Sequence, residues 1–134
     1  MSAFLNTRLP LNSLPPWECK DGVQLYEVAG DFSYQSEKLG RIITVPAGLV
    51  TDFASIPRPV WNVIDPEDPR IGWASVIHDY LYSHQGTLPD GFTYTREQAD
   101  AVLREAMEVC GCESILRNIV YDAVELGGAS HWKP

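Results

Sequence analysis

Short-period alternation of apolar and polar residues fills the first third of the chain, and a longer period replaces it after Pro59. Residues 23–28 are rich in β-formers, Phe32-Ser33-Tyr34 alternates, and residues 41–45 are a third, β-branched run, with turn signals at Asp21-Gly22, Gly30-Asp31 and Lys38-Leu39-Gly40. This pattern predicts a small antiparallel β-meander. Upstream, Pro10, Pro15 and Pro16 forbid a helix interior, so residues 1–17 read as an extended N-terminal arm lying over the domain. Downstream, Pro46 and Gly48 end strand pairing. Pro57 and Pro59 push the residues before them out of the helical region, which makes 51–57 an irregular loop.

The remainder predicts about four α-helices. Residues 60–64 make a short amphipathic stretch closed by Asp65-Pro66 and Asp68-Pro69. Between 70 and 84, Trp73, Ile77, Tyr80 and Leu81 recur at i, i+4, i+7 and i+8, the spacing of a buried helical face. Thr95 is a candidate N-cap with Gln98 at the capping-box position, followed by the stripe Ala99, Val102, Leu103, Ala106 and Cys110. A last helix carries Ile115, Leu116, Ile119, Val120, Ala123 and Leu126 on one side and stops at Gly127-Gly128. The fold class is therefore α+β, one compact domain over residues 1–134.

Composition narrows the partners. With 45% hydrophobic residues in a chain of 134 there is material for a single core and little for a second domain. Eighteen acidic against ten basic residues give a formal charge of −8 without any basic run, which excludes the electrostatic footprint of a nucleic-acid binder. No apolar run approaches the roughly 20 residues needed to span a bilayer, and residues 1–8 lack the pattern of an export signal. A protein made in the cytoplasm is expected. Three cysteines, Cys19, Cys110 and Cys112, do not imply a disulfide framework, and Cys110-Gly111-Cys112 lacks the second ligand pair of a structural zinc site.

Candidate chemistry gathers in two stretches: Thr51-Asp52-Phe53-Ala54-Ser55-Ile56-Pro57 and Ile77-His78-Asp79-Tyr80-Leu81-Tyr82. Here Asp52, His78 and Asp79 stand beside residues that read as core, where a carboxylate or imidazole needs a compensating partner. On a helix His78 borders the buried face and Asp79 is rotated about 100° from it. Asp100 shares a flank of the following helix with Arg96, Arg104 and Met107. Three readings fit. Asp52, His78 and Asp100 or Asp79 could converge on a divalent metal such as zinc, which would activate water for hydrolysis. The same groups could form a structural network in which His78 donates to a carboxylate and Asp100 pairs with Arg96, Arg104 or Arg58. Or His78 could act as a metal-free general base, oriented by Asp52 or Asp79, with Ser55 or Thr51 as nucleophile, although no nucleophile-elbow motif is present. His131 is a further imidazole near the C-terminus.

These motifs carry a resemblance. Residues 45–48 (Val-Pro-Ala-Gly), 51–57, 78–82, Arg96, Ala99-Asp100, Ala106-Met107, Tyr121, Ala123-Val124, Gly127 and Trp132 make the chain similar, over roughly residues 20–132, to the phage and prophage family catalogued as domain of unknown function 1353. The resemblance implies a tailed-phage or prophage origin and expression in the bacterial host cytoplasm, with incorporation in the virion as a further expectation. It implies an accessory or virion-associated protein of tail or assembly, with phage structural proteins as partners. The alternative is a metal-dependent hydrolase acting on the host envelope or on a small molecule. The candidate catalytic residues are Asp52, His78 and Asp79, and the candidate metal ligands Asp52, His78 and Asp100.

Overall fold

A computed structural model describes residues 1–19, 22–53, 55–65, 68–127 and 132. It is an α+β arrangement of two three-stranded antiparallel sheets and three α-helices. The first sheet has β1 (Ala3–Phe4) beside β4 (Phe32–Ser36), with β5 (Arg41–Val45) beyond; the second has β2 (Leu11–Ser13), β3 (Tyr26–Val28) and β6 (Val50–Thr51) in that order.

The expected meander is thus split. β3 and β4 are adjacent in sequence yet do not pair, because the chain bends at 29–31 and its polar groups are drawn elsewhere: Ala29 N–H bonds Pro10 O at 2.7 Å, and Asp31 Oδ1 accepts Ala47 N–H at 3.0 Å. The N-terminal arm supplies the missing neighbours, giving β1 to one sheet and β2 to the other. Its prolines lie outside those two strands, so they cost no ladder bond.

Alternation behaves as the pleat demands. Phe32, Tyr34 and Ser36 of β4 and Ile43 and Val45 of β5 turn inward, while Gln35, Ile42 and Thr44 face out. Phe4, Phe32, Tyr34 and Trp73 form an aromatic cluster with centroid separations of 4.6–5.6 Å, joining this sheet to the helices.

The helices are α1 (Pro69–His84), α2 (Arg96–Val109) and α3 (Ser114–Gly127). The expected fourth is a 3-10 turn, Arg58–Asn62, preceded by Pro57 and too short to propagate as an α-helix. α1 starts on an Asp68 cap with Pro69 in its first turn, and packs along α2, which packs along α3. Ten of its sixteen residues are buried, on more than one face, so α1 is the central helix and not a surface one. The capping box predicted for α2 is present: Thr95 Oγ1 accepts Gln98 N–H at 3.1 Å and Gln98 Oε1 accepts Thr95 N–H at 2.8 Å. Thr95→Ala should cost about 1 kcal/mol in chemical denaturation.

Candidate functional site

The two singled-out stretches meet because α1 presents consecutive residues to the loop that follows β6. His78 reaches Ser55, with Nδ1 to Oγ at 2.9 Å, and the next residue, Asp79, accepts the Thr51 hydroxyl on Oδ2. A rotation of about 100° per residue thus lets two adjacent side chains grip the end of β6 and the loop after it. Between those points Phe53 adopts a left-handed backbone (φ 59°), costly for a bulky residue, and plugs the core beside Tyr26 at a centroid distance of 5.3 Å. Its N–H bonds Thr51 Oγ1 at 3.1 Å and its carbonyl accepts Ile56 N–H at 3.0 Å. The loop is held by side chains where ladder bonds are missing.

On its other side His78 meets α2. Nε2 lies 2.8 Å from Asp100 Oδ1, which also accepts the Tyr82 hydroxyl at 2.6 Å, and Arg96 approaches Oδ2 at 3.6 Å. His78 and Asp100 are 0% and 1% exposed, and Ser55 is 4% exposed. A carboxylate accepts only, so Asp100 fixes the Nε2–H tautomer and leaves Nδ1 as acceptor for the Ser55 hydroxyl. Burial lowers the His78 pKa below its usual 6.5, opposed by the hydrogen bond and charge of Asp100. The ring is therefore neutral at pH 7, and Ser55, His78 and Asp100 form one hydrogen-bond chain.

Ser55 also opens on a cleft of about 230 Å³ lined by Leu49, Val50, Thr51, Asp52, Asp79, Tyr82, Ser83 and Gln85. Asp79 is half-buried there, its Oδ1 enclosed, and the backbone N–H groups of Ser55 and Phe53 favour its charged form. Burial pushes its pKa up to about 7; the Thr51 hydroxyl opposes the rise and the Asp52 charge adds to it. Since the unfolded value is 3.8, the native protein holds this proton where the unfolded chain has lost it. The stabilisation is complete below about pH 4 and is lost as the pH rises through about 7. His78 acts oppositely, losing stability as the pH falls below its unfolded value. The difference between wild type and Asp79→Asn isolates the aspartate: thermal melts from pH 4 to 8 should show wild type losing ground to the variant as the pH rises.

The structure brings Ser55, His78 and Asp100 together in one chain and groups Asp52, Asp79 and Thr51 along the cleft beside it. Asp52 does not orient His78, because both ring nitrogens are engaged elsewhere. Among the described residues no group of three or more His, Cys, Asp or Glu side chains is placed to hold a metal ion. A metal on His78 would have to displace Ser55 or Asp100. Of the arginines proposed for Asp100, Arg96 is the one near it, while Arg58 lies over Trp61 and Arg104 donates to Asn118. His131 falls outside the described residues. Cys19, Cys110 and Cys112 are free thiols, and burial raises the pKa of Cys110 to about 11, so it is unreactive as a thiolate at neutral pH.

Two features escaped the sequence reading. Tyr82 stands within the 78–82 motif without a role for its hydroxyl, which serves Asp100. Glu105 holds a second polar cluster, accepting from the Tyr34 hydroxyl (2.7 Å), the Ser36 hydroxyl (2.9 Å) and Lys38 N–H (3.0 Å). The inward-facing Ser36 on an alternating strand was the signal available for it.

Fold and site together define an α+β protein with a buried Ser–His–Asp hydrogen-bond chain under a small acidic cleft. The chain belongs to the family described as protein of unknown function (DUF1353), whose model matches residues 26–124 and so spans every cleft and network residue named above. No curated protein and no solved structure matches it. No helix among the described residues is long and apolar enough to cross a membrane.

Proposed function

We propose that the chain is an accessory hydrolase of a tailed phage or prophage, working by acyl transfer to Ser55. The observation that supports this is the placement of a cleft-lining hydroxyl on the acceptor nitrogen of a neutral histidine whose other nitrogen is held by a buried carboxylate. In the reaction Ser55 Oγ forms a bond to the acyl carbon while its proton passes to His78 Nδ1. The acyl bond to the leaving group then breaks as His78 returns that proton to it, and water releases the acyl group by the same path in reverse. Asp100 is a positioning residue that stabilises the imidazolium. The ring nitrogens exchange roles relative to serine proteases, where Nε2 faces the serine. The exposed Gln85 on the cleft is the neutral donor suited to the developing oxyanion. This reading joins the hydrolytic activity expected from the sequence to the third sequence reading, in which Ser55 is the nucleophile and His78 its base, with Asp100 in place of Asp52 or Asp79 as the orienting carboxylate. A panel of short acyl esters and amides tests it: turnover by wild type and none by Ser55→Ala supports it, and equal rates sink it.

A virion-associated role in tail or assembly is the second reading. Ile115, Ile119 and Leu126 are 76%, 45% and 88% exposed on one stripe of α3, an apolar strip suited to a protein partner. Under it the protein copurifies with particles, and Ile119→Lys releases it without changing its melting temperature appreciably.

A further inference from the structure

We infer that Asp79 is a positioning residue for Ser55, holding the loop after β6 in the conformation that lays the nucleophile on His78; this deepens the hydrolase reading and rests on it. β6 ends at Thr51, so the backbone leaves its ladder on the way to Ser55. Asp79 takes over there. Its Oδ2 accepts the Thr51 hydroxyl, and the backbone N–H groups of Ser55 and Phe53 are directed at the same carboxyl. The Thr51 oxygen in turn accepts Phe53 N–H at 3.1 Å. Donors from the start, middle and end of the turn therefore converge on one side chain, and one of them belongs to the nucleophile itself.

Backbone strain makes the grip necessary. Phe53 lies in the left-handed region (φ 59°), which a bulky residue keeps only where its surroundings over-determine it. Packing beside Tyr26 anchors its ring, and the hydrogen bonds to Thr51 and Asp79 orient its backbone. On the far side of the loop the Trp61 indole N–H donates to Ile56 O at 3.2 Å. Ser55 thus stands between two fixed points, with its Oγ 2.9 Å from His78 Nδ1. His78 and Asp79 are neighbours on α1, so base and clamp share one rigid frame and helix geometry sets their relation. A reacting group misplaced by about 1 Å loses about 10²-fold in rate.

The test follows hydrolysis of the butanoyl para-nitrophenyl ester and, separately, the nitrogen-15 NMR signal of His78 Nδ1 at pH 7, assigned with His78→Gln. Asp79→Ala removes the acceptor those donors share and should lower kcat about 10²-fold with KM little changed. Asp79→Asn keeps the volume and one acceptor oxygen and should recover most of that loss. In the spectrum Asp79→Ala should move Nδ1 from its wild-type position to the one it takes in Ser55→Ala, where no hydroxyl reaches it. A purely structural role would lower the melting temperature and leave kcat per folded molecule and the Nδ1 signal unmoved. Thr51→Val strips the hydroxyl with little change of volume and should act like Asp79→Ala, while Thr51→Ser restores both readouts, so the test stands even if Asp79→Ala does not fold. Wild-type kcat in both Asp79→Ala and Thr51→Val overturns the inference and leaves the hydrolase reading standing. If wild type turns over no ester the hydrolase reading falls, and the Nδ1 signal decides the placement of Ser55 alone. A signal shifted to that of Ser55→Ala sustains the role of Asp79, and one unmoved from wild type overturns it.

Discussion

Asp100→Ala should destabilise the protein by about 3–5 kcal/mol in urea or guanidinium unfolding, the loss expected when one partner of a buried charged network is removed. Asp100 is 1% exposed and serves His78, Tyr82 and Arg96 at once, so alanine strands the His78 Nε2–H and the Tyr82 hydroxyl inside the core. Asp100→Asn keeps the volume and one acceptor oxygen and should lose much less, while Tyr82→Phe, which removes a single hydrogen bond, should lose about 1 kcal/mol. The two aspartate variants separate architecture from chemistry. Asparagine no longer fixes the Nε2–H tautomer, so it should depress turnover far beyond its effect on stability. A loss under about 1 kcal/mol for Asp100→Ala would mean that the network does not tie α1 to α2.

Ser55→Ala should abolish hydrolysis, lowering kcat/KM by about 10³ or more, while costing only about 1 kcal/mol of stability for the lost hydrogen bond to His78. His78→Gln should be equally inactive but less stable, since the imidazole is fully buried between Ser55 and Asp100. In wild type, kcat/KM should rise with pH through an apparent pKa below 6.5, because burial keeps His78 neutral and its base form is the active one. A rate that is flat across that range, or a variant that retains turnover, removes Ser55 and His78 from the chemistry.

Local pattern carried the elements well and their assembly poorly. Thr95 with Gln98 announced the start of α2 because a capping box is satisfied within four residues. The alternation of Phe32, Tyr34 and Ser36 announced β4 for the same reason, since a pleat shows in sequence as period two. Strand pairing depends on long-range partners, so nothing near Ala3 or Leu11 signalled that the arm would add a strand to each sheet. At the site, His78 and Asp79 pointed to a polar cluster through their placement among core residues. Their true partners lie about twenty-three and twenty-eight residues upstream, at Ser55 and Thr51, and Asp100 lies twenty-two residues downstream. No local spacing rule links such positions. Metal, structural and nucleophilic readings are therefore all compatible with the sequence, whereas the partners of the two ring nitrogens are visible only in the tertiary contacts.

The most direct test of a Ser55 nucleophile activated by His78 is covalent capture with a fluorophosphonate, read by intact mass and peptide mapping of the native protein. The account predicts one adduct, on Ser55, that forms faster as the pH rises past the His78 titration and is absent from Ser55→Ala, His78→Gln and urea-unfolded wild type. A folded wild-type protein that gains no adduct in excess reagent, or that is labelled elsewhere while Ser55 stays unmodified, would contradict it.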